Sequence, residues 1–160
     1  MIRIAVVEDD PLCQAQLTEN IRRYGAENQV EFQITCFSDG LEIAEEYRPV
    51  YDIILLDIEM PQLDGMAAAR LIRDFDPAVI LIFITNMAQY AIKGYEVDAL
   101  DFVLKPVSYF QFSLKLKKAV SALRSRASRD LLLALEGGMK RVSSDRIYYI
   151  EVQGHRVIVH

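Results

Sequence analysis

Only two cysteines occur in the 160 residues, Cys13 and Cys36, and neither pairing nor metal-ligand spacing links them. That argues against a disulfide scaffold or a thiolate metal centre, and both positions read as free, buried thiols in a reducing compartment. No apolar run approaches the ~20 residues that a bilayer-spanning helix requires. The amino terminus opens directly on a strand, without the basic and then apolar leader of an exported chain. A soluble, cytoplasmic protein with no membrane association is therefore expected. Glycine and proline are both absent from the stretch between Val107 and Leu135, which excludes a loose linker there and predicts a stiff helical connection.

The charge is unevenly spread. Residues 1–107 carry 8 Lys or Arg against 19 Asp or Glu, a net −11, whereas residues 108–160 carry 10 against 4, a net +6. An acidic first part points to a metal or a cationic partner, and a basic second part to a polyanion such as nucleic acid. Lys115, Lys117, Lys118, Arg124, Arg126 and Arg129 are equally compatible with the wet face of a helix.

Apolar runs of strand length recur at 2–7, 30–36, 51–57, 79–84 and 101–104, separated by stretches of helical spacing. This alternation predicts five strands and five helices in a doubly wound, parallel α/β sheet. Asp10-Pro11 opens the first helix as an N-cap followed by proline, with Leu12, Leu17, Ile21 and Tyr24 on one side. Ser38-Asp39-Gly40 begins a second helix that ends before Arg48-Pro49, and Asp64-Gly65 begins a third through Arg73. The last helix shows Tyr109, Phe112, Leu116, Ala119 or Val120, Leu123 and Ala127 at steps of three and four. From Asp130 the period shortens to that of strands, with turns at Gly137-Gly138 and Gly154. About thirty such residues cannot bury a core alone. We expect residues 1–127 to form the α/β domain, and 128–160 to be the front of a second, all-β domain; a β-extension of the first domain is the alternative.

The strands end in chemistry. Tyr51-Asp52-Ile53-Ile54-Leu55-Leu56 runs into Asp57, and the first strand runs into Glu8-Asp9-Asp10, at the sheet end where α/β folds bind ligands. Two or three carboxylates with open coordination suit Mg²⁺, which prefers oxygen ligands and keeps several waters. Neutralised by a cation, Asp57 could act as a nucleophile toward phosphorus. Thr85 would then give a hydrogen bond, and Lys105 a positive charge, to the phosphoryl oxygens. Taken singly, Asp57 and Thr85 could be helix caps and Lys105 a plain counter-ion. Four strands ending together in the groups that one reaction needs favour the joint reading.

Glu8-Asp9, Asp57, Thr85 and Lys105-Pro106, in that order, resemble the receiver domain of bacterial two-component response regulators over about residues 1–125. The resemblance implies a flavodoxin-like fold and phosphoryl transfer from a sensor histidine kinase to Asp57. It also implies Mg²⁺ held by Asp9, Asp57 and the backbone carbonyl of Glu59, with Glu8 acting through water. Thr85 and Lys105 stabilise the phosphoryl group, Phe102 takes the aromatic switch position, and Lys105-Pro106 is a candidate cis bond. Such a protein is a signalling phospho-acceptor with at most slow autodephosphorylation rather than an enzyme. Asn86 departs from the small residue common after the threonine, and with Glu59 and Met87 it leaves phosphate lifetime open.

Ile147-Tyr148-Tyr149-Ile150-Glu151 followed by Gly154-His155-Arg156-Val157 resembles the start of a LytTR DNA-binding domain. That implies His155 and Arg156 as DNA contacts, with the rest of the output domain beyond this chain. The combined expectation is a transcriptional regulator that dimerises on phosphorylation and binds DNA through its full-length output. A single-domain receiver acting by protein contact is the alternative. An aspartyl-nucleophile phosphohydrolase is disfavoured, because those of the haloacid dehalogenase type carry Asp-x-Asp after the first strand.

Overall fold

A computed structural model of the chain describes residues 1–45, 47–87, 89–90, 94–128, 130–135, 138–143, 150–153 and 156–159. Five strands, β1 (Ile2–Val7), β2 (Phe32–Phe37), β3 (Ile53–Asp57), β4 (Ile80–Thr85) and β5 (Asp101–Leu104), form one sheet in the order β2-β1-β3-β4-β5. Every neighbouring pair is parallel. This is the flavodoxin-like order, in which the chain reverses direction across the sheet between β1 and β3. All of β3 and β4 is buried, as expected of central strands covered on both faces, whereas the edge strand β2 is only partly covered.

One face carries α2 (Gly40–Ala44) and α3 (Gly65–Phe75). Ala5, Val7, Ile54, Leu56, Leu81 and Phe83 pack there against Ile43, Ala68, Ala69 and Ile72. The opposite face is covered by α1 (Pro11–Asn28) and the first half of α4 (Tyr109–Ser128), which bury Leu17, Ile21, Phe112 and Leu116. Asp10 caps α1 through the amide of Leu12, with proline at the first helical position. Gln29 then turns left-handed (φ 53°) and Val30 donates to the carbonyl of Gly25, so β2 starts at Phe32 rather than at Val30.

Two expectations are corrected. Leu12 is 81% exposed, because it stands about 140° from Leu17 and about 180° from Ile21 around the axis of α1, away from the buried side. Cys36 is exposed and Cys13 only half-buried, the former because β2 is an edge strand. Between β4 and β5, Tyr90 is helical and Gly94–Val97 form a 3₁₀ turn, while residues 88 and 91–93 of the expected helix lie outside the described residues.

The chain forms two compact units, Met1–Ala119 and Val120–His160, and α4 runs from the first into the second. In the second unit β6 (Asp130–Leu135) pairs antiparallel with β7 (Gly138–Ser143), and β8 (Ile150–Gln153) with β9 (Arg156–Val159). Among the described residues no helix is long and apolar enough to cross a membrane.

Candidate phospho-acceptor site

β1 and β3 lie side by side at the point where the strand order reverses, and both end in acids. One carboxylate oxygen from each of Glu8, Asp9 and Asp57 lies within 4.8 Å of the other two. Glu8 and Asp57 are buried and Asp9 is exposed. Asp57 Oδ1 accepts hydrogen bonds from the amides of Ile58 (2.6 Å) and Glu59 (3.3 Å), which fixes the carboxylate at the mouth of the β3–α3 loop.

Lys105 answers this crowding. Its Nζ stands 2.6 Å from Asp57 Oδ2 and 2.8 Å from Glu8 Oε2, with the side chain 14% exposed. Burial opposes the ammonium charge, but the two carboxylates outweigh it and raise the lysine above its ordinary range. Burial likewise raises Glu8, against the lowering effect of Lys105. Lys105 Nζ donates to Glu8 Oε1 (3.0 Å) and lies 2.8 Å from Oε2, so a single cation serves two buried acids inside a ring of hard oxygen donors. That donor set fits Mg²⁺.

Thr85 is fully buried at the end of β4, one residue beyond Ile84, the register partner of Asp57. Its Oγ1 accepts from the amide of Met87 (3.0 Å), and its carbonyl accepts from the amide of Lys105 (2.9 Å). The Lys105-Pro106 peptide bond is cis. Phe102 pairs in register with Phe83, and a cavity of about 170 Å³ lies between Phe83, Tyr90, Gly94, Ala99 and Phe102. Asn86 Nδ2 and Glu59 Oε2 stand 3.5 Å apart, making a weak bridge at the rim.

Three further residues matter here that the sequence did not single out for the site. The side chain of Asp39, read from sequence only as a helix start, reaches the β3–α3 loop as well. Gly65 backs onto Asp57, where an added Cβ would stand 1.9 Å from the Asp57 carbonyl oxygen. The Cys13 thiol lies against Glu8, and burial followed by that carboxylate pushes it up to about 12, so it stays protonated. Of the residues expected to touch DNA, His155 lies outside the described residues, and Arg156 is described only as part of β9.

Acids at the carboxyl ends of β1 and β3, with a hydroxyl on β4 and an amine after β5, on this strand order, make up the architecture of a receiver domain. The chain belongs to the response regulator receiver domain family, whose pattern matches residues 4–117. It is 32% identical over 118 residues to the sensory transduction protein LytT of Bacillus cereus, across 74% of this chain and 47% of LytT. It is 29% identical over 159 residues to the transcriptional regulatory protein BtsR of Escherichia coli, across 97% of this chain and 59% of BtsR. The fold matches response regulator TrrA of Thermotoga maritima in complex with Mg²⁺-BeF, with a TM-score of 0.65 and 28% identity over 74% of this chain and 99% of that one. This chain spans about half the length of the curated relatives it matches.

Proposed function

We propose that Asp57 is the phospho-acceptor of a transcriptional response regulator, with residues 1–127 as receiver and 128–160 as the front of a LytTR-type output domain. The observation that carries this reading is the Lys105 ammonium held between Asp57 (2.6 Å) and Glu8 (2.8 Å) at the switch point of the sheet. A carboxylate oxygen of Asp57 attacks the phosphorus of a kinase phosphohistidine, the O–P bond forms as the P–N bond breaks, and the electron pair returns to the imidazole nitrogen.

Asp9, Asp57 and the Glu59 carbonyl would hold Mg²⁺, with Glu8 acting through water. When bound, Mg²⁺ supplies charge neutralisation for the phosphoryl oxygens. Lys105 exchanges part of its contact with Asp57 for a phosphoryl oxygen. Thr85 turns its hydroxyl from the Met87 amide toward the phosphoryl group, and the space beside Phe102 lets that ring follow. The resulting change of face promotes dimerisation and DNA binding by the full-length protein in the cytoplasm, with His155 and Arg156 among the DNA contacts. The chain acts as a signalling acceptor rather than a turnover enzyme.

Beryllium fluoride with Mg²⁺ tests the site. The wild type should bind it and an Asp57→Ala variant should not; equal behaviour of the two would sink the reading. For the output, phosphorylation of the full-length protein should strengthen its gel shift of promoter DNA.

A further inference from the structure

Asp39 is buried, yet it faces amides rather than a cation. Its Oδ1 caps α2 through Leu41 N (2.9 Å) and also accepts from Leu63 N (3.1 Å), while Oδ2 accepts from Gln62 N (3.0 Å). Burial works against the charge, but these three amides outweigh it and hold the carboxyl below its ordinary range. A helix cap needs one such bond. The other two reach 23 and 24 residues down the chain, into the loop that leaves Asp57.

Elsewhere the loop is held by Ile58 and Met60, which are buried in the core, by Leu63 packed against it, and by hydrogen bonds near its start. Ile58 and Glu59 hang from Asp57 Oδ1, and Gly65 N donates to the Ile58 carbonyl (3.0 Å). The α2 side is pressed close, since a Cβ on Gly40 would stand 2.3 Å from the Leu63 carbonyl oxygen. Asp39 thus anchors the far limb of the loop while Asp57 anchors the near limb, with Glu59 between them.

We infer that Asp39 is a positioning residue for the metal site, holding the β3–α3 loop so that the Glu59 carbonyl stays aimed at the cation. The inference rests on the proposed Mg²⁺ site at Asp9, Asp57 and Glu59. Residues that orient metal ligands typically change metal affinity by about 10- to 100-fold when lost. Two substitutions separate this role from plain capping. Asp39→Ser keeps an acceptor for Leu41 but loses the reach to Gln62 and Leu63. Asp39→Asn keeps one oxygen for Leu41 and Leu63 and loses only Gln62.

The test is calorimetric titration of Mg²⁺ into the whole chain, wild type and both variants, with amide hydrogen exchange read at Gln62 and Leu63. The expected result is a Mg²⁺ affinity about tenfold weaker in Asp39→Ser, a smaller loss in Asp39→Asn, and faster exchange at the freed amides. Wild-type Mg²⁺ affinity in a folded Asp39→Ser protein, with the two amides exchanging fast, would overturn the inference. Should the serine variant fail to fold, Asp39→Asn decides: weaker Mg²⁺ binding with faster exchange at Gln62 supports the role, and unchanged binding overturns it. Absence of Mg²⁺ binding by the wild type would instead overturn the metal site itself and the inference with it.

Discussion

The Nζ of Lys105 lies 2.6 Å from Oδ2 of Asp57, so the buried carboxylate is held by a positive charge from a residue 48 positions later in the chain. The same ammonium touches Glu8, and one lysine therefore balances two buried acids.

Removing that lysine leaves the acids facing one another. Lys105→Met should cost about 3 kcal/mol of stability in metal-free buffer, since a buried charge loses its partner. Mg²⁺ should restore part of the loss, because a ligand that binds only the folded state stabilises it. Urea unfolding with and without Mg²⁺ reads both effects; a variant as stable as wild type without metal would speak against the charge balance described here.

Thr85 contributes a hydroxyl inside a fully buried position. Thr85→Ser should phosphorylate and switch like wild type, whereas Thr85→Ala should take up phosphate but lose most of the phosphorylation-dependent dimerisation. Sedimentation velocity with beryllium fluoride distinguishes the two variants. Full dimerisation of the alanine variant would remove Thr85 from the switch.

Gly65 leaves no room for a side chain, with the Asp57 carbonyl oxygen 1.9 Å from where a Cβ would stand. Gly65→Ala must therefore move the backbone of α3 or of Asp57, at a cost of about 3 kcal/mol. Thermal unfolding should register the loss, and acetyl phosphate labelling should slow in parallel.

Asp39 gives a pH signature. Its folded-state value is depressed below the ordinary 3.8, so its contribution is fully present above about pH 4.5 and is lost as pH falls through the lowered value. Asp39→Asn cannot titrate, so the stability gap between wild type and variant should be about 1–2 kcal/mol at neutral pH and close as pH falls through the lowered value. A gap independent of pH would show that the carboxylate charge is not what the three amides stabilise.

Much of this site was legible in the sequence, for a topological reason. Asp57, Glu8-Asp9, Thr85 and Lys105 each follow an apolar strand, and a parallel sheet brings the carboxyl ends of its strands to one edge. Local pattern was enough because the fold does the gathering. Asp39 was readable only as a cap, since the bonds to Gln62 and Leu63 cross between two loops and no local period encodes them. Leu12 misled for a different reason: it lies about 140° to 180° around α1 from Leu17 and Ile21, so helical spacing places it on the solvent side and not with the apolar residues. The closeness of Cys13 to Glu8 depends on how α1 lies against β1, which the spacing of two cysteines says nothing about.

The most direct test of the account is intact-mass analysis after incubation with acetyl phosphate and Mg²⁺, followed by mapping of the modified residue. A single phosphoryl group on Asp57, absent without Mg²⁺ and absent in Asp57→Asn, is the predicted result. Labelling that persists in Asp57→Asn, or that ignores Mg²⁺, would contradict it.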